Sequence, residues 1–200
     1  MKKWMKYVIE CVLVVSICFI YAHIDKAHNV YDTKTDNSSY IPVSIISDSY
    51  VSQSFKCTEN SIDGVSLKLV LSGDSKAGEL NYQLLDESGC ELLSGIYPIA
   101  EIKSGRINKI KFDKKIENTE DNLYTVSIGV TGLEENESLG IYYDSLGERT
   151  GNLKVNGENT EGTLILRWLT HRFDVETFIV TLGFVVYFVV FFKILYKLFS

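Results

Sequence analysis

The chain has 200 residues, enough for one ordinary domain with tails. It is 46% hydrophobic with a formal net charge of -6, and between His23 and Glu176 there are 15 Lys/Arg against 25 Asp/Glu, about -10. A segment that acidic repels phosphate backbones, which excludes nucleic acid as an expected partner.

In chain order, the first element is apolar. Trp4 to Ala22 reads "WMKYVIECVLVVSICFIYA". At about 1.5 Å per residue it reaches roughly one hydrocarbon core. Lys2, Lys3 and Lys6 precede or open it, so the positive-inside rule places this end in the cytoplasm. Two readings stand for it: an uncleaved anchor, or a cleaved signal peptide with a basic start and an apolar centre. Ile20 and Tyr21 make a poor small-residue cleavage site before Ala22, which favours the anchor. The expected units are therefore residues 1–24 as a short cytoplasmic start and transmembrane helix, and residues 25–47 as a polar spacer ending in an edge strand.

A β-domain is expected over 48–170. Val65, Leu67, Leu69 and Leu71 alternate with Ser66 and Lys68, and Leu80, Tyr82 and Leu84 alternate with Asn81 and Gln83. Between them lies a Gly/Asp/Ser turn. Asp86–Gly89 is a second turn, followed by a short strand over Leu92–Ile99. Ile107, Ile110 and Phe112 mark the next strand, and Tyr124, Val126, Ile128 and Val130 give the clearest period of two. Ile141 and Tyr143, then Leu153 and Val155, then Leu164, Leu166 and Trp168 complete the set. The last two runs flank "VNGENTEG", which suggests a hairpin between them. Eight or nine short strands predict a mainly β fold, an antiparallel β-sandwich of jelly-roll type, flanked by an N-terminal and a C-terminal transmembrane helix. Strict alternation argues against a parallel sheet.

The final unit, 174–200, holds "TFIVTLGFVVYFVVFFKILYKLF". No charge interrupts 177–192, and Lys193 and Lys197 lie one helical turn apart, placed to snorkel to headgroups. The expected topology is a two-pass protein of the cell membrane, both termini cytoplasmic and the central domain outside. Cleavage of the first segment would leave a single pass.

Few residues carry chemistry. Glu10 is a carboxylate inside an apolar helix, a candidate contact to a partner membrane helix, with Lys6 four residues earlier as the local alternative. Tyr97, Tyr142 and Tyr143 are candidate ligand-binding residues for stacking a sugar ring. Tyr142 and Tyr143 are adjacent, so one faces in and the other out. Cys57 and Cys90 are candidate disulfide partners in an oxidising compartment, whereas Cys11 and Cys18 read as apolar fillers of the first helix. Trp168, with His171 and Arg172, reads as an interfacial anchor. No twelve-residue calcium loop or His/Cys metal spacing occurs, so neither metal nor cofactor is expected. Nothing pairs a nucleophile with a base, and an enzyme is not expected.

The order of segments is familiar: "QSFK", then "SLKLVL" and "GELNYQLLDESG", then "INKIKFDKKIENTEDNLYTVSI", then "GNLKVNGENTEGTLILRW". Over residues 50–170 it resembles the extracytoplasmic jelly-roll, carbohydrate-binding-like domain of large bacterial membrane proteins of surface-polysaccharide assembly. The many membrane helices of those proteins are absent here, so the resemblance transfers no transferase activity and no site residue. It implies a non-enzymatic accessory protein of the envelope. Its expected partners are the lipid bilayer, glycan, and a membrane glycosyltransferase or polysaccharide exporter. A structural subunit that recognises protein instead is the alternative.

Overall fold

The computed structural model describes residues 2–73, 77–146 and 152–199. Among these residues two α-helices, α1 (Lys2–Tyr21) and α2 (Val175–Phe199), bracket thirteen strands. They are β1 (His23–Asn29), β2 (Tyr40–Ile45), β3 (Tyr50–Lys56), β4 (Ser61–Ser72), β5 (Glu79–Leu85), β6 (Glu91–Pro98) and β7 (Arg106–Glu117), followed by β8 (Leu123–Thr131), β9 (Ser138–Asp144), β10 (Leu153–Val155), β11 (Glu158–Thr160), β12 (Thr163–Leu164) and β13 (Leu166–Phe173). The chain divides into two compact units. One is Ala27–Thr170; the other joins the residues up to Lys26 with those from His171 on.

The larger unit is an antiparallel sandwich. One sheet runs β11-β10-β3-β8-β5-β6; the other runs β1-β13-β4-β9-β12, with β2 also on β9 and β7 on β4. From β3 to β10 the chain alternates between sheets except where β6 follows β5: β3, β5, β6, β8 and β10 lie in the six-stranded sheet, β4, β7 and β9 in the seven-stranded one. That alternation is the jelly-roll character. It also separates β4 from β5, whose sequence reads as two strands across a single turn. Their apolar faces meet across the core instead of pairing edge to edge.

The core forms where the period-two faces oppose. Val51, Phe55, Leu84 and Val126 from one sheet, and Leu67, Leu69, Ile141 and Leu166 from the other, are all at most 2% exposed. Each such side chain contributes about 1.5–3 kcal/mol by leaving water. Gln53 lies among them at 0% exposure. Its Oε1 accepts from Leu164 N at 3.1 Å and its Nε2 donates to Ser54 O at 3.1 Å. The amide thus ties β3 to β12 of the opposite sheet and satisfies the backbone N–H of Leu164.

Several expectations are corrected. The hairpin over "VNGENTEG" is tighter than expected: β10 pairs with β11, Val155 opposite Glu158. Asn156 (φ 51) and Gly157 (φ 86) both adopt the left-handed region that a two-residue primed turn demands. Leu166 and Trp168 pair instead with β4 in the other sheet. Residues 25–47, expected as a polar spacer ending in an edge strand, contribute most of β1 in addition to β2, which pairs with β9 over Tyr40–Ile45. The pairing satisfies backbone groups that a free spacer would leave to water. Trp168 is no interfacial anchor. It is 3% exposed, with Phe55 stacked at 6.4 Å and His28 at 4.0 Å. In β7 the inward positions are Asn108, Ile110 and Phe112, while Ile107 is 39% exposed. Asn108 is tolerated inside because its amide bonds Lys103 N, Lys103 O and Arg106 O.

The smaller unit contains the two apolar helices, each long and apolar enough to cross a membrane. They pack on one another. At their joint Asp174 N donates to Ala22 O at 2.8 Å, His171 Nδ1 lies 2.8 Å from Asp25 Oδ1, and the Phe19 and Phe173 rings sit 5.0 Å apart.

Candidate functional site

The outward face of the six-stranded sheet is built from residues between the core positions of β3 and β8. On β3 these are Tyr50, Ser52 and Ser54; on β8 they are Thr125, Ser127 and Gly129. The register lays them side by side: Tyr50 opposite Gly129, Ser52 opposite Ser127, Ser54 opposite Thr125. Two central strands with small side chains make a floor. Longer side chains stand along its margins, Lys154 beside Ser52 and Gln83 beside Ser127. The consequence is a trough of about 320 Å³ lined by Tyr50, Ser52, Ser54, Leu85, Thr125, Ser127, Asn152, Lys154 and Gly157. That volume sits at the lower end of the range of about 300–1,000 Å³ for small-molecule sites.

The wall at one end is Tyr50. Its backbone N–H donates to Asn156 Oδ1 at 2.9 Å, and a Cβ built on Gly157 would stand 3.0 Å from its hydroxyl. The primed turn therefore fits under the ring because it carries glycine there. Tyr50 remains 43% exposed. On the floor, Ser54 Oγ and Thr125 Oγ1 are bonded to each other at 2.8 Å. Ser52 and Ser127 have no side-chain hydrogen bond among the described residues, and Lys154 has no ion pair there. These hydroxyls donate and accept, the lysine donates, and the Asn152 amide does both, whereas Gln83 on the margin already donates its Nε2 to Glu91 Oε2 at 3.2 Å. Such a set matches a ligand dense in hydroxyl groups. The exposed Tyr50 ring offers an apolar surface to the C–H side of a ring.

A larger depression, about 390 Å³, lies near Asp86, Ser88, Leu92, Glu117 and Tyr124. Its Asp86 and Ser88 side chains are already engaged with each other. Ser88 Oγ donates to Asp86 Oδ1 at 2.6 Å and Cys90 N donates to the same oxygen at 2.9 Å, which holds the Asp86 carboxyl below the usual carboxylate value.

The tyrosines singled out in the sequence do not converge. Tyr97 lies on β6 at the margin of the six-stranded sheet, half-buried against the core, and burial raises its phenol above the ordinary value. Tyr143 lies on β9, packed against the core. Tyr142 is the outward member of that pair, but Lys68 Nζ sits 4.5 Å from its ring centroid and occupies one face. Cys57 and Cys90 are free thiols, the first buried and the second exposed. Cys57 Sγ lies 3.1 Å from Glu59 O and 3.3 Å from Thr119 Oγ1. Glu10 is exposed on α1. Among the described residues no three His, Cys, Asp or Glu side chains gather as a metal-holding group. The residues that sequence reasoning passed over are Ser52, Ser54, Thr125 and Ser127. Their signal was present, since every outward position between core residues in "VSQSF" and "YTVSIGV" is small.

No family model matches the chain, and no curated protein does. Among solved structures, one of infectious bursal disease virus, Gx strain, aligns at 14% identity with a TM-score of 0.33, over 73% of this chain and 35% of that one. The VP2 subviral particle of the same virus aligns at 10% identity with a TM-score of 0.31, over 73% of this chain and 40% of that one. The chain thus spans little more than a third of those proteins, and at such scores the likeness carries no argument about function.

Proposed function

We propose that this chain is a non-enzymatic, membrane-anchored protein of the bacterial cell envelope whose β-sandwich binds glycan in the Tyr50–Ser127 trough. In this reading α1 and α2 cross the membrane, both termini are cytoplasmic, and the sandwich works outside, beside surface-polysaccharide assembly machinery. One observation carries the glycan reading: Ser52 and Ser127 lie side by side on the floor with no side-chain hydrogen bond among the described residues, between Lys154 and Gln83. Polar groups left open in a concavity are worth most to a ligand that returns a donor and an acceptor at each position.

The test is a glycan array probed with the full chain in nanodiscs, followed by titration of any hit. Saturable binding of an oligosaccharide that protects the trough amides from exchange supports the reading. An array without hits, or a hit that leaves those amides untouched, removes it.

A second reading, a structural subunit that recognises protein, is favoured by β6. This strand ends the six-stranded sheet, and its outward Leu92 and Ile96 are 39% and 58% exposed. An open edge bearing apolar side chains is a template for strand addition. Loss of a copurifying protein on Ile96→Lys, with glycan binding intact, would favour it.

A further inference from the structure

The carboxylate of α1 is placed for a helix outside this chain. The joint between the helices fixes depth: Asp174 N bonds Ala22 O, and Glu10 lies twelve residues below Ala22, about 18 Å along the axis. From the other boundary of the apolar span, Trp4, it is six residues in, about 9 Å. Two methylenes do not carry a carboxylate across that distance to headgroups. The four-carbon stem of Lys6 can reach them from its shallower position.

Among the described residues nothing neutralises Glu10. Lys6, one turn away, forms no ion pair with it among the described residues, and Glu10 has no hydrogen bond there. On α2 no charge falls between Glu176 and Lys193. Lys193 is nineteen residues below Asp174, about 28 Å, so it lies roughly 10 Å deeper than Glu10. The packed side of α1 is marked by Val14, half-buried, with Cys18 at 1% and Ala22 at 0% exposure. At about 100° per residue Glu10 falls roughly 80° round from Cys18, on the flank of that side. It faces neither α2 directly nor the opposite lipid, and a third helix beside the pair would meet it.

We infer that Glu10 docks α1 against a transmembrane helix of another protein, one that presents a lysine or arginine at the same depth. The inference rests on the reading of α1 as membrane-spanning. A cation is the occupant because an isolated charge in hydrocarbon is stabilised by an opposite charge. A second copy of this chain would bring another carboxylate, with its own lysines at other depths.

The test uses the full chain, donor-labelled, in vesicles. Acceptor-labelled probes are a polyleucine helix with one central-flank lysine matched to the depth of Glu10, and the same helix without it. Energy transfer is expected to report association with the lysine helix about tenfold tighter than with the plain helix, and Glu10→Gln to remove most of that difference. Equal transfer to both probes overturns the inference. So does Glu10-dependent self-association that ignores the lysine helix, which assigns the contact to a second copy. Flotation of the same vesicles separates the premises: a chain that fails to float removes the membrane reading, whereas one that floats without preferring lysine removes only the docking.

Discussion

Ser52 on β3 and Ser127 on β8 are cross-strand partners in the middle of the six-stranded sheet, each flanked along the same rung by a longer polar side chain, Lys154 on one side and Gln83 on the other. The rung explains the trough as a consequence of side-chain size. Small residues on two central strands lower the floor, and the strands outside them supply the rims.

Filling the floor should therefore block binding without harming the fold. Ser127→Trp is expected to abolish glycan binding while changing stability by no more than about 0.5 kcal/mol, because the position lies outside the core. Tyr50→Ala should cost about 1 kcal/mol of affinity, roughly fivefold in Kd. Titration calorimetry paired with a denaturant melt reads both. Unchanged affinity in Ser127→Trp would place the ligand elsewhere.

The buried amide of Gln53 should matter to stability. Gln53→Leu keeps the bulk but leaves Leu164 N–H without its acceptor, in a site with no water access. The expected loss is about 1–3 kcal/mol, measured as a lowered urea midpoint at constant slope.

Gly64 sits on β4 beside a register irregularity, where a Cβ would stand 2.5 Å from Ile110 O and 3.1 Å from Lys111 Cα. Both obstacles are backbone, which cannot rotate away. Gly64→Ala is expected to destabilise by about 1–3 kcal/mol, and a thermal melt no lower than that of the unsubstituted protein would refute the packing described here.

The turn at Asp86 has a defined pH response. Ser88 Oγ, then the backbone N–H of Cys90, stabilise the charged carboxyl and lower its pKa from the ordinary value. A lowered folded-state value means that the contribution to stability is complete above the unfolded value, about 3.9. It is lost as pH falls through the lower folded-state value. Carboxyl carbon shifts should show Asp86 titrating below an ordinary aspartate, and Ser88→Ala should move its midpoint upward.

The cysteines should differ in reactivity. Cys90 is exposed and Cys57 buried, so brief maleimide treatment of the native protein is expected to label Cys90 and spare Cys57 until denaturant is added. Peptide mapping decides; a Cys57–Cys90 disulfide in the map would contradict the free thiols.

How far the sequence carried this protein is visible in particular elements. The alternation of Tyr124, Val126, Ile128 and Val130, and the long uncharged run at 177–192, placed a strand and a helix correctly, since both patterns are local: side chains alternate every residue in a strand, and a helix needs only length and apolarity. The small outward residues of β3 and β8 were equally legible one strand at a time. Their adjacency was not, because Ser52 and Ser127 are 75 positions apart and period two says nothing about which strand lies next to which. For the same reason the sequence suggested pairing β10 with the Leu164–Trp168 run, and tertiary structure sent them to different sheets. A half-buried antiparallel strand shows the same pattern whichever neighbour it takes. The neighbour is chosen by how two apolar faces close over one core, with single contacts such as the Gln53 amide to Leu164 N–H joining the sheets.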